Sequence, residues 1–126
     1  ETGPAAVTGA VTGSATGGSA VVTTLAAHGV EAVFGIPGTH NLAVYESLAS
    51  HPEMTHILAR HEQGSGFMAD GYARVTGKPG VMLTSSGPGA ADSIGALGES
   101  YHSSIPLLQI TTEIESESWG WSGSKN

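Results

Sequence analysis

The chain contains no cysteine, and only four of its 126 residues are Lys or Arg. Without cysteine there can be no disulfide, no thiolate metal site and no thiol nucleophile. Eleven Asp and Glu residues give a formal net charge of −7, so no cationic surface is available to neutralise nucleic-acid phosphates or an anionic membrane. We therefore expect neither nucleic acid nor a membrane as a partner.

Long apolar runs are also missing. No stretch reaches the roughly 18 apolar residues that a membrane span needs, and the N-terminus lacks the basic-then-apolar order of a signal peptide. The predicted location is therefore cytoplasmic. A hydrophobic content of 39% with only 12% charged residues is typical of one globular domain with its own core.

The chain divides into three predicted parts. Residues 1–18 are rich in Gly, Thr and Ala without periodicity, which predicts a flexible leader. Regular patterning begins at Ser19, the predicted N-cap of a helix over 19–28 that ends before Gly29. Residues 19–114 form the predicted domain, and residues 115–126 are predicted to be a loop or a truncated tail.

Short apolar runs alternate with helical patterns across the predicted domain. This alternation is typical of right-handed crossovers, and it predicts an α/β fold in which a parallel sheet is covered by helices on both faces. Strands are predicted at AVFGI, THILAR, GVMLTSS and IPLLQITT, and helices at 19–28, at LAVYESLAS, at HEQGSGFMADGYARVTG and within GPGAADSIGALGESYHSS.

Three glycine-containing loops follow predicted strands: GIPGTHN, RHEQGSG and SSGPGAAD. In a parallel sheet such loops meet at the carboxyl edge, where ligands bind. A phosphate site is disfavoured, because the chain has no G-x-x-x-x-G-K-[ST] or G-x-G-x-x-G motif and the carboxylate of Glu62 would repel an anion. A serine hydrolase is also disfavoured, because Ser85 and Ser86 lack the G-x-S-x-G context.

The segments VFGIPG, RHEQGSGFMADGYARVTGKPGV and TSSGPGAADSIGALGESYHSSIPLLQIT are together more specific than any one glycine pattern. In order and spacing they resemble the N-terminal pyrimidine-binding domain of thiamine-diphosphate enzymes of the acetolactate synthase and 2-oxo acid decarboxylase type. The resemblance runs from about Ser19 to Ile114. It implies the thiamine-diphosphate-binding fold, which we expect to be incomplete at the C-terminus.

The resemblance assigns Glu62 the role of the family's catalytic glutamate. In that family this carboxyl hydrogen-bonds N1′ of the cofactor's aminopyrimidine ring and so activates the cofactor. The alternative from sequence physics is an ordinary first-turn acid, stabilised by the helix dipole. Gly64 and Gly66 would each cost a helix roughly 1 kcal/mol relative to Ala, which predicts that a neighbouring group packs closely against them.

The other predicted site residues come from the first and third loops. The resemblance implies that Ile36, Pro37 and Gly38 border the pyrimidine. His40 is a candidate catalytic acid or base, because histidine titrates near neutral pH, or alternatively a loop histidine bonded to backbone. The turn residues implied to approach the cofactor from the third loop are Gly87, Pro88 and Gly89. The sequence AAD that follows departs from the ATN usual in acetolactate synthases and leaves the substrate group open.

No metal ligand is predicted in this chain, because its histidines show no shared ligand spacing. The resemblance implies Mg²⁺ bound mainly by a diphosphate-binding domain, whose GDG motif is not in this sequence. The implied partners are that domain, from the same or another chain, a 2-oxo acid substrate, and further copies in a homodimer or tetramer.

Three hypotheses about function remain open. The first is a 2-oxo acid decarboxylase or carboligase, of which this chain is the pyrimidine-binding part and inactive alone. The second is an acetolactate-synthase-like condensing enzyme, and the third is a noncatalytic domain that binds a partner. Retention of Glu62 with all three glycine loops favours an enzyme.

Overall fold

The computed structural model describes residues 15–114, which form four strands, five α-helices and one 3-10 turn. The predicted tail at 115–126 and most of the predicted leader lie outside these residues. The strands are β1 (Ala32–Gly35), β2 (Thr55–Leu58), β3 (Gly80–Thr84) and β4 (Leu107–Thr111). The helices are α1 (Gly17–Ala27), α2 (Leu42–Leu48), α3 (Glu62–Thr76), α4 (Pro88–Asp92) and α5 (Ile94–His102), and the 3-10 turn is Thr39–Asn41.

All four strands are parallel, in the order β2-β1-β3-β4. The two central strands, β1 and β3, are buried along their whole length. One face carries the core that α1 and α2 share with the sheet, and the opposite face carries the core shared with α3. Helices therefore lie on both faces, which confirms the predicted α/β fold.

The first helix begins two residues earlier than the sequence predicted. It runs over Gly17–Ala27, and its N-cap is Thr16, whose hydroxyl accepts a hydrogen bond from the Ser19 amide at 3.1 Å. Ser19 lies inside the first turn and donates its own hydroxyl to the Thr16 carbonyl. The N-cap prediction at Ser19 was wrong because Ser and Thr are both good caps, and Gly17 and Gly18 between them are read as loop from composition.

Helix α3 packs against β3 and α5 with almost no space between them. Gly80 is buried in β3, and a Cβ there would overlap the backbone of Ala69 in α3. A Cβ on Gly66 would collide with the Ala96 side chain in α5, which confirms the close packing expected at Gly66. Gly64 has no atom of the described residues within 4 Å of its Cβ position, so close packing there stays a prediction.

A buried carboxylate joins α3 to α5. Asp70 is only 5% exposed; it accepts a hydrogen bond from Nε of Arg74 and another from the Ser100 hydroxyl, at 2.6 Å. Arg74 also pairs with Glu99 in α5, at 3.3 Å. The hydrogen bond from Arg74, supported by the one from Ser100, lowers the pKa of Asp70 against the opposing effect of burial. The i, i+4 pair at Asp70 and Arg74 thus belongs to a network that fixes α3 against α5.

Replacing Asp70 with Asn should lower the free energy of unfolding at neutral pH. Because the pKa of Asp70 is depressed in the folded state, the ionised carboxylate stabilises the fold above its unfolded pKa. That stabilisation is lost as the pH falls through the folded pKa. Urea unfolding of the wild-type chain and the Asp70→Asn variant should therefore differ most near pH 7 and converge in acid. A difference independent of pH would contradict this account.

The outer edge of β4 is incompletely covered on the α1 face. Leu108 in β4 is 45% exposed, and a cavity of about 700 Å³ lies between this strand, the C-terminal end of α1 and the start of β3. An ion pair between Lys78 and Glu31, at 2.6 Å, lies at the amino ends of the strands beside this cavity.

None of the helices within residues 15–114 has the length and apolar character needed to cross a membrane.

Candidate functional site

The strand order creates a crevice at the carboxyl edge of the sheet. After β1 the chain moves outward to β2, whereas after β3 it moves in the opposite direction to β4, so the loops that leave these adjacent strands diverge. Such a topological switch point is where open α/β sheets bind ligands. Two of the three predicted glycine loops, GIPGTHN and SSGPGAAD, begin here.

All three predicted loop segments meet around Ser85 and Gly89. A Cβ on Gly38 would lie 3.2 Å from both Cβ and Oγ of Ser85, so the first and third loops are in contact. A Cβ on Gly89 would lie 3.6 Å from the Ser85 Cβ and 3.3 Å from Oε1 of Glu62, the residue that opens α3. The structure therefore brings Gly38, Gly89 and Glu62 together at the switch point.

Glu62 is the first residue of α3, and it is half-buried. The N-cap of this helix is His61, whose Nδ1 accepts a hydrogen bond from the Gln63 amide at 3.2 Å. Within residues 15–114 the Glu62 carboxylate has no hydrogen-bond partner. His61 thus provides the capping hydrogen bond of α3, and the Glu62 carboxylate remains available at the crevice.

Gly87 gives the third loop its shape. Its φ of +61° and ψ of −120° lie in a region that residues with a side chain rarely adopt, and Pro88 follows as the first residue of α4. Gly89 is buried against Ser85 and Glu62, while Gly87 and Pro88 are exposed. The positive φ at Gly87, three residues after the end of β3, turns the chain so that Gly89 faces the carboxylate.

His40, in the first loop, contacts the third loop. Its Nδ1 is 2.8 Å from the Ser86 hydroxyl, and the ring is exposed. This partner is a side chain 46 positions further along the chain, so within the described residues His40 is bonded to a side chain and not, as the alternative had it, to backbone. A catalytic role for His40 stays a prediction.

His61, Glu62 and Asp92 form a small cluster beside the crevice, with one ligand atom from each within 4.8 Å of the others. His61 Nε2 is 3.9 Å from Oδ2 of Asp92, and the side chains of these two residues are 60% and 50% exposed. Solvated groups of this kind commonly cluster without an ion, so the cluster alone assigns no metal.

Two residues of the site were not singled out from the sequence. Asn41 is 1% exposed, and its side chain hydrogen-bonds the backbone of both Ile36 and Gly38. Ser86 contacts His40. Asn three residues after Gly in a turn was a usable signal, because Asn side chains often bond nearby backbone. The contact from Ser86 to His40 spans two loops and left no local signal.

Comparison with known proteins finds one matching family model and several similar proteins. The family model described as "Thiamine pyrophosphate enzyme, N-terminal TPP binding domain" matches residues 15–126. The probable 2-ketoarginine decarboxylase AruI of Pseudomonas aeruginosa is 51% identical over 105 residues, which cover 83% of this chain and 19% of that protein. The acetolactate synthase of Arthrospira platensis is 44% identical over 108 residues, covering 83% and 19% respectively.

A third relative is the acetolactate synthase isozyme 1 large subunit of Escherichia coli, 46% identical over 99 residues that cover 79% of this chain and 18% of that protein. The chain thus spans about a fifth of the length of the curated relatives it matches. The family match includes the three glycine loops and Glu62, and it confirms the resemblance. The chain belongs to the family of N-terminal TPP-binding domains of thiamine pyrophosphate enzymes.

Proposed function

We propose that this chain is the pyrimidine-binding part of a thiamine-diphosphate-dependent 2-oxo acid decarboxylase or carboligase. In this proposal a diphosphate-binding domain, from the same or another chain, supplies the Mg²⁺ site and completes the pocket. The observation that carries the proposal is the half-buried Glu62 carboxylate, which has no hydrogen-bond partner within residues 15–114 and faces the junction of the three loops.

The residues at this junction fit an aminopyrimidine ring. A flat heterocycle can pack directly on backbone only where no side chain intervenes. Gly38, Gly87 and Gly89 supply such backbone. The ring nitrogen N1′ needs a carboxyl that can share a proton, and Glu62 has both oxygens free of hydrogen bonds from the described residues. Ile36 and Pro37 add apolar surface beside Gly38.

Thiamine diphosphate, when bound, supplies a carbon nucleophile and an electron sink for loss of carbon dioxide from a 2-oxo acid. The task of Glu62 in this proposal is to hold a proton at N1′ of the pyrimidine. The His61 cap holds the first turn of α3, and with it the Glu62 side chain, in place.

His40 is proposed to donate or accept a proton at the substrate side of the crevice. When the Ser86 hydroxyl donates the hydrogen bond to Nδ1, the neutral imidazole carries its proton on Nε2, away from the third loop. Ser86 would then fix both the tautomer and the ring orientation.

We expect His40→Ala to lower kcat of the active assembly by about a hundredfold or more, the usual size of an acid–base contribution. Ser86→Ala keeps the imidazole and loses one hydrogen bond, so its expected loss is only about several-fold. His102→Ala is the matched control, because His102 is an exposed histidine at the end of α5. Steady-state kinetics of the three variants check the role, and equal rates for His40→Ala and His102→Ala would refute it.

The named relatives support two substrate groups. The probable 2-ketoarginine decarboxylase is 51% identical and favours decarboxylation of a larger 2-oxo acid, whereas the acetolactate synthases at 44% and 46% favour condensation of two small ones. The product distinguishes them: an aldehyde with one carbon dioxide per 2-oxo acid supports decarboxylation, and acetolactate from pyruvate supports condensation.

Native mass spectrometry of the endogenous protein with Mg²⁺ and thiamine diphosphate tests the proposal first. We expect a mass that includes a diphosphate-binding domain and the bound cofactor, in a dimer or tetramer. Screening 2-oxo acids on that assembly then assigns the substrate. An assembly that neither binds thiamine diphosphate nor turns over any 2-oxo acid would instead support the noncatalytic partner-binding domain.

A further inference from the structure

The loop between β1 and the 3-10 turn is closed around one buried side chain. Asn41 is 1% exposed; its Oδ1 accepts a hydrogen bond from the Gly38 amide at 2.7 Å, and its Nδ2 donates to the Ile36 carbonyl at 3.1 Å. Its own backbone amide donates to the Gly38 carbonyl at 3.1 Å. Asn41 thus forms three hydrogen bonds to a segment of three residues.

These bonds determine which groups the loop can offer to a ligand. The Ile36 carbonyl and both polar backbone groups of Gly38 are bonded to Asn41, and Pro37 has no amide hydrogen. Asn41 thus engages three of the five backbone polar groups of Ile36–Gly38 and leaves only the Ile36 amide and the Pro37 carbonyl. A segment with most of its polar groups already bonded suits the face of an aromatic ring better than a charged group.

The same bonds also fix the distance of this loop from the third loop. Gly38 lies against Ser85, and a Cβ there would be 3.2 Å from the Ser85 side chain. A small outward or inward movement of Gly38 changes the width of the crevice. An apolar side chain at position 41 would fill the same space but leave the Gly38 amide and the Ile36 carbonyl unpaired, which favours loop conformations in which water reaches them.

We propose that Asn41 is a positioning residue that holds Ile36–Gly38 at contact distance from the pyrimidine ring of the cofactor. The inference rests on the proposed function, because it assumes that the ring lies against this loop. Asn41 does not touch the cofactor, so it acts through the loop backbone and differs in this from Glu62.

The first experiment needs no cofactor. In ¹H–¹⁵N NMR spectra of the 126-residue chain, the Gly38 amide should exchange slowly with solvent. Asn41→Leu should speed its exchange about tenfold or more, whereas Asn41→Asp, which keeps the acceptor for this amide, should speed it less. Ser100→Ala is the control, because it removes a buried hydrogen bond to Asp70 far along α3 from the loop. Gly38 exchange that is equally fast in the wild-type chain would overturn the inference.

The second experiment uses the active assembly and measures the dissociation constant of thiamine diphosphate by equilibrium binding. We expect Asn41→Leu and Asn41→Asp to raise it about tenfold or more, with KM for the cofactor rising more than kcat falls. Ser100→Ala, compared at a similar loss of stability, should change it less than about twofold.

The outcomes separate this inference from the proposed function. Cofactor affinity that is unchanged in both Asn41 variants would overturn the positioning role and leave the proposed function standing. A wild-type assembly that binds no thiamine diphosphate would overturn both. If Ser100→Ala loses as much cofactor affinity as the Asn41 variants at a similar loss of stability, then general destabilisation, and not loop position, controls binding. That result also overturns the inference.

Discussion

Replacing Glu62 with Gln should abolish turnover, with a loss in kcat of about a hundredfold to ten-thousandfold, while leaving the fold intact. Gln has nearly the same shape as Glu but cannot hold the proton at N1′ that the proposed function requires. Folding should hardly change, because the Glu62 carboxylate has no hydrogen bond within residues 15–114 and His61 provides the cap of α3. The substitution removes the interaction of the charge with the helix dipole, about 0.3–1 kcal/mol, and also its repulsion from the nearby Asp92 carboxylate, which acts in the opposite direction.

The measurement is single-turnover kinetics of the active assembly, with the urea midpoint of each variant recorded in parallel. Glu46→Gln is the matched control, because Glu46 is an exposed helical glutamate on α2, away from the three loops. Glu62→Asp should lie between wild type and Glu62→Gln, since it keeps the acid but shortens the side chain by one methylene. Full activity in Glu62→Gln would refute the proposed mechanism.

Replacing Gly80 with Ala should cost about 3 kcal/mol or more of folding free energy, the largest stability effect we expect from any single methyl group in this domain. The new Cβ would overlap the carbonyl oxygen, carbonyl carbon and Cα of Ala69, which are backbone atoms of α3. A side chain could rotate away, but relief here requires the whole helix to move off the sheet. Whole domains are stable by only about 5–15 kcal/mol, so the loss is a large fraction.

Gly71→Ala is the control for the Gly80 variant. Gly71 lies in α3, with no atom of the described residues within 4 Å of its Cβ position, so Ala should stabilise the helix by roughly 0.5–1 kcal/mol. Urea midpoints should therefore move in opposite directions for the two substitutions. Similar midpoints for both would mean that α3 is not packed on β3 as the structure has it.

Local sequence signals were sufficient for the parallel sheet, the two-sided helical cover and the loops that leave β1 and β3, whereas both glycines of RHEQGSG lie inside α3. Each of these rests on a short apolar run or on Gly and Pro, whose effects are confined to neighbouring residues. The segment GPGAADSIGALGESYHSS was predicted as a loop followed by one helix, whereas the chain forms α4 and α5 with Ser93 between them. Ser93 is the C-cap of α4, and it is buried there with its hydroxyl donated to the Ala90 carbonyl.

Features that depend on distant residues were beyond sequence reasoning. The strand order depends on β1 pairing with β3 across the whole of α2, β2 and α3. The His40–Ser86 hydrogen bond joins two loops that only this order brings together. At the site, the positions of Glu62 and the glycines were predicted from the family resemblance, but the capping of α3 by His61 was not, because His is an uncommon cap.

The pairing of β1 with β3 also has a consequence for synthesis on the ribosome. Val33 pairs with Val81, so the second edge of β1 stays without a partner until β3 has been made. Strands β1 and β2 leave the ribosome before α3 and β3, so the inner edge of the fully buried strand β1 stays exposed throughout the translation of α3. During that interval the nascent chain is open to pairing with other chains, so we expect a chaperone that binds nascent chains to reduce its aggregation more than it changes its final stability.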